Sequence, residues 1–91
     1  MDVLKQHDIF YKQDFPQNLG TKATVLWLSI TSLTIDKAEN EECEFSMFQL
    51  KRLTGESVED IFRSFRKLQN ADLVFGSYSD DGIKCIIRKL Y

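Results

Sequence analysis

The spacing of apolar residues along the chain changes period twice. From Thr21 to about Leu33 or Thr34, Ala23, Val25, Leu26, Trp27, Leu28, Ile30 and Leu33 cover most of a helical circumference. A helix apolar nearly all round belongs at the centre of its domain, so residues 21–35 predict a central helix, with Thr21 as its cap. A second helical unit begins in "EFSMFQLKRLTG". Ser46 followed by Gln49 has capping-box spacing, and Met47, Leu50 and Leu53 form an inward stripe. Gly55 supplies the left-handed residue that a sharp reversal needs. Ser57 with Asp60 repeats the box and opens a helix to about Gln69. In it Val58, Ile61, Phe62, Phe65 and Leu68 fall within one arc of about 120°. Residues 46–69 therefore read as helix, turn, helix. From Asp72 the period falls to two: "LVFGSYS" and "IKCIIRKLY" flank "DDG", which predicts a hairpin over 73–91.

The remaining segments carry weaker patterns. Residues 1–20 are polar around an aromatic cluster of Phe10, Tyr11 and Phe15 and close on "PQNLG". They read as an arm with a short strand near "DIFYKQDF". Residues 36–44 read as a solvated loop leading into a short strand at Glu44–Ser46. The whole order predicts one α+β domain over 1–91, a winged helix-turn-helix with a three-helix core and a C-terminal β-hairpin wing.

Composition narrows the function without naming it. Apolar residues make up 43% of the 91 residues and charged residues 29%, an ordinary globular balance. The start of the chain lacks a basic segment followed by a clean apolar one, so no secretion signal is expected. The greasiest run, "ATVLWLSITSLTI", is too short and too rich in Ser and Thr to span a bilayer. Cys43 and Cys85 lie far apart and His7 is the only histidine, which cannot build a four-ligand zinc site without several carboxylates. No phosphate-cradling glycine loop or nucleophile elbow is present, so neither catalysis nor a cofactor is expected. A cytoplasmic protein with reduced thiols is the expectation.

Net charge is −2, which argues mildly against nucleic acid, but the charge is unevenly spread. Residues 1–44 hold four Lys and Arg against eight Asp and Glu, whereas residues 45–91 hold eight against six.

The stretch "FSMFQLKRLTGESVEDIFRSFRKLQNADLVFGSY" resembles bacterial winged helix proteins. In those a helix ends in Leu-x-x-x-Gly-x-Ser, and the next ends in Lys-x-Leu-x-x-Ala-x-Leu-Val before the wing. Gly55, Ser57, Leu68, Ala71, Leu73 and Val74 match in place; Leu50 stands one residue further from Gly55 than that spacing, Val58 follows the serine, and Arg66 stands for the Lys. "FYKQDFPQNLGTKATVLWLSITSL" is similar to the lead-in of plasmid and phage replication-initiator N-terminal domains, and the match spans roughly residues 9–79. The resemblance implies a DNA-binding accessory factor of replication, conjugation or transcription. Family members usually place Arg, Lys, Gln or Thr where this chain has Glu59 and Asp60, and a replication initiator continues into further domains. The expectation is thus a stand-alone accessory protein.

On this reading Ser57, Arg63, Arg66 and Lys67 meet phosphates and base edges in the major groove, with Glu59 able to accept from cytosine. The competing reading is a solvated face with a Glu59–Arg63 pair. The wing tip carries Asp80 and Asp81, which repel phosphates, so Lys84, Arg88 and Lys89 are the wing's candidates for backbone contact, or simply solubilising charges. Phe48 lies about 160° from the centre of its helix's buried face, beside Arg52. It marks either a contact surface or a site covered by the arm or the 36–44 loop. Phe10 and Tyr11 pose the same choice between the chain's own core and a twin. The partners expected are double-stranded DNA and a second copy in a homodimer, with no membrane. The alternative is a winged helix that binds protein through Phe48 and its acidic surfaces.

Overall fold

The structure, a computed structural model, describes residues 1–91. Five helices and one three-stranded antiparallel sheet form an α+β fold. The helices are α1 (Val3–Lys12), α2 (Phe15–Leu19), α3 (Thr21–Ser32), α4 (Met47–Thr54) and α5 (Val58–Asn70). The strands are β1 (Glu42–Ser46), β2 (Val74–Ser79) and β3 (Gly82–Ile87), in the order β1-β3-β2.

α3 is the central element, packing on α1, α2, α4 and α5. Its Ala23, Leu26, Trp27 and Ile30 are buried among Phe65, Leu68 and Leu50. Its apolar belt explains this: a helix with almost no polar face is stable only where neighbours surround it. The predicted cap is displaced by one residue. Gly20, at φ +87°, occupies the N-cap and Thr21 is already helical, with no side-chain cap bond.

The first twenty residues depart from the expected arm and strand, because they form α1 and α2. Asp2 caps α1 by accepting from the Lys5 amide. Gln6 and Phe10, one turn apart, are buried on the inner face. Phe10 stacks on Trp27 with ring centroids 4.0 Å apart and on Phe15 at 5.3 Å. Phe10 therefore belongs to this chain's own core and is unavailable to a twin, whereas Tyr11 stays exposed. The spacing Val3, Gln6, His7, Phe10 carried the helical signal, hidden because the buried polar Gln6 breaks the apolar pattern. Its amide spans the C-terminal tail, donating to the Arg88 carbonyl and accepting from the Leu90 amide at 2.9 Å.

β1 starts two residues earlier than expected and takes part of the supposed loop. Cys43 and Phe45 point into the core while Glu42 and Glu44 face solvent, a period-2 pattern. β1 pairs with β3 in the register Cys43↔Cys85, and β2 pairs with β3 in the register Gly76↔Cys85. The hairpin forms as expected, but β3 ends at Ile87, leaving Arg88 and Lys89 on the tail. Gly76 is demanded by the sheet: a Cβ there would stand 2.6 Å from Cys85 Cα and collide with the Lys84 carbonyl. No helix is long and apolar enough to cross a membrane.

Candidate functional site

The candidate site is built from α4, the turn after it, and α5. Ser46 caps α4 by accepting from the Gln49 amide at 3.1 Å, and Met47 N–H donates to the Asp81 carbonyl of the hairpin turn at 2.8 Å. Gly55 closes α4 in the left-handed region, at φ +70°. Thr54 Oγ1 then accepts from the Glu56 amide, holding the turn. Ser57 caps α5, its hydroxyl accepting from the Asp60 amide at 3.2 Å. The cap engages a lone pair of the Ser57 oxygen and leaves the O–H able to donate outward. α5 buries Ile61, Ser64, Phe65 and Leu68 against α3, α4 and β2. Glu59, Arg63, Arg66, Lys67 and Asn70 are left on its exposed side.

At the opening of α5 Glu56 and Asp60 are paired within the chain, while Glu59 is exposed without an ion pair. Lys22, from the first turn of α3, reaches Asp60 at 2.9 Å and Glu56 at 3.6 Å. Arg63 reaches the other oxygen of Asp60 at 2.9 Å. The Lys22 hydrogen bond chiefly holds the Asp60 carboxyl below its ordinary range, and the same bond raises the Lys22 ammonium. Arg63 thus pairs one turn back with Asp60 rather than with Glu59. Arg66 donates to the Tyr78 hydroxyl at 2.6 Å, and Tyr78 packs against Phe62 at 4.5 Å between ring centroids. Lys67 lies 3.5 Å from the Leu19 carbonyl.

Of the hairpin-side candidates, none joins that face. Lys84 sits on the outer surface of the sheet between Glu44 at 3.0 Å and Glu42 at 3.9 Å, with its ammonium raised mainly by the Glu44 bond. Lys89 pairs with Glu39 at 3.4 Å and lies over the Tyr91 ring. Arg88 is exposed on the tail beyond β3 and makes no ion pair. Sequence reasoning missed Lys22 and Tyr78, whose roles come from contacts distant in the chain.

Phe48 is 71% exposed, and neither the first helices nor the 36–41 segment covers it. Its ring lies 5.7 Å below the Arg52 guanidinium, and with Gln49 and Leu53 these residues line a shallow depression. Leu53, expected in the inward stripe, is 46% exposed. Each three-residue step turns the stripe by about 60°, so by Leu53 it has left the face set by Met47.

Both thiols are free and buried; burial pushes Cys85 up to about 12, so neither is a ready nucleophile. No group of three or more His, Cys, Asp or Glu side chains is placed to hold a metal ion. Comparison with protein-family models, curated proteins and solved structures finds no match for this chain. What the arrangement can do is present guanidinium and ammonium groups from one helix face to an anion.

Proposed function

We propose that this chain is a winged helix-turn-helix protein that binds double-stranded DNA through α5, with the β2–β3 hairpin as its wing. It acts in the cytoplasm as an accessory factor of plasmid or phage replication, conjugation or transcription. The observation carrying this reading is the distribution of unpaired cations. Lys12, Lys22, Lys37, Arg63, Lys84 and Lys89 are all ion-paired within the chain. Of the Lys and Arg residues without a carboxylate partner, Lys51, Arg52, Arg66 and Lys67 lie on α4 and α5, while only Lys5 and Arg88 lie elsewhere. The two helices that a helix-turn-helix sets against the duplex hold most of the free positive charge. Pairing of Asp60 and Glu56 with Lys22 offsets their repulsion toward phosphates. The wing contributes little, since Lys84 is engaged and Asp80 and Asp81 stand exposed at its tip.

The test is fluorescence anisotropy with duplex DNA from the gene's own neighbourhood across a salt series. Affinity is expected to fall log-linearly with salt. R66A/K67A is expected to weaken binding by about 1–3 kcal/mol and to lower the salt slope by about 1 for each phosphate that is no longer neutralised. Absence of binding even at low salt refutes the proposal. It leaves the protein-binding reading, which the uncovered Phe48 favours.

A further inference from the structure

We propose that Cys43 and Cys85 are a paired oxidation site, which a hydroperoxide converts to a cross-strand disulfide joining β1 to β3. The two residues are register partners on adjacent antiparallel strands, and both are buried on the inner face of the sheet. One step beyond the pair Ser46↔Gly82, the Met47 amide donates to the Asp81 carbonyl. Hydrogen-bonded pairs recur at every second position of an antiparallel ladder, so Cys43↔Cys85 is such a pair, with Cα atoms about 5.5 Å apart. That spacing falls within the roughly 4.4–6.8 Å that a disulfide bridges. On its other side Cys85 faces Gly76, so Cys43 is its one directly opposed side chain across the sheet.

Topology divides the roles. Cys43 is on an edge strand, its Sγ 3.5 Å from the Glu41 carbonyl of the surface loop, whereas Cys85 is on the central strand. Burial raises both thiols, but at Cys43 the Lys37 ammonium counters it. Cys43 is therefore the attacking sulfur and Cys85 the resolving one. The Cys43 thiolate attacks a peroxide oxygen, the O–O bond breaks, and a sulfenic acid forms as the other oxygen leaves as water or an alcohol. The Cys85 sulfur then attacks Cys43 Sγ, and the sulfenic hydroxyl departs as water with the Cys85 proton. The two thiols lose two electrons and the peroxide gains them. Burial keeps the first step slow. The new bond closes the loop from Cys43 to Cys85, which contains α4, α5 and β2. Closing a long loop constrains the unfolded chain most, so oxidation tightens the fold around α4 and α5.

Intact mass spectrometry of the reduced protein, treated with hydrogen peroxide in native buffer, tests this without reference to DNA. The wild type is expected to lose the mass of two hydrogen atoms, and peptide mapping to join the Cys43 and Cys85 peptides of one copy. Its urea midpoint is expected to rise by about 1 M, and dithiothreitol to restore the starting value. C85S keeps the attacking thiol and is expected to stop at a sulfenic acid on Cys43, trapped by dimedone. C43S is expected to react about tenfold more slowly. The wild-type measurements need no substitution, so a variant that folds poorly leaves them decisive. Thiols that stay reduced after prolonged exposure overturn the inference. So does Cys43 driven to sulfinic acid beside a reduced Cys85, a disulfide between copies, or a bond that forms only in urea. An oxidised form whose urea midpoint does not rise overturns it as well.

Discussion

His7 shows how one residue's surroundings set a pH window. Its Nε2 lies 2.7 Å from Thr31 Oγ1, while the Thr31 hydroxyl lies 2.9 Å from the Trp27 carbonyl. The threonine proton is engaged by that carbonyl, so the imidazole carries its proton on Nε2 and donates. Burial lowers the His7 pKa from 6.5. The unfolded chain therefore takes up the proton first as pH falls, and stability present at neutral pH is lost below about 6.5. One such group steepens the pH dependence by at most about 1.4 kcal/mol per pH unit. His7→Gln keeps a donor without the titration. Urea denaturation midpoints between pH 7.5 and 5 are expected to decline less for the variant than for the wild type.

Among the elements, the β2–β3 ladder leaves no room for a side chain at Gly76. Gly76 sits opposite Cys85, and its neighbours there are backbone atoms that cannot rotate away. Gly76→Ala is expected to destabilise by about 1–3 kcal/mol, as overpacking generally does, with the loss visible in chemical denaturation. Ser77, exposed one residue further along β2, supplies the control: Ser77→Ala should change little. The hairpin was legible because its alternation and turn residues are local. α1 was not legible: it buries Gln6, and only the tail carbonyl of Arg88 and amide of Leu90 satisfy that buried amide.

At the scale of the molecule, the decisive quantity is which charges remain free after folding. Asp60 engages both Lys22 and Arg63 from its position on α5. Asp60→Asn removes that anion, frees Arg63 and leaves Lys22 with Glu56 alone, beside the proposed duplex contact. Anisotropy titrations are expected to give severalfold tighter DNA binding and a steeper salt slope, reflecting more counterions released. Unchanged affinity would place Lys22 and Arg63 away from the duplex.

The amino-acid sequence by itself determined what depends on near neighbours. The apolar belt of α3, the caps at Ser46 and Ser57, the left-handed Gly55 and the amphipathic stripe of α5 each involve residues within a turn or two. The tertiary structure alone decided what depends on distant partners. It buried Phe10 between Trp27 and Phe15, left Phe48 and Leu53 in solvent, and brought Lys22 to Asp60 across 38 positions of chain. Periodicity reports which face of an element is apolar, but a charge is free or neutralised only through space, and Coulomb energy takes no account of order along the chain.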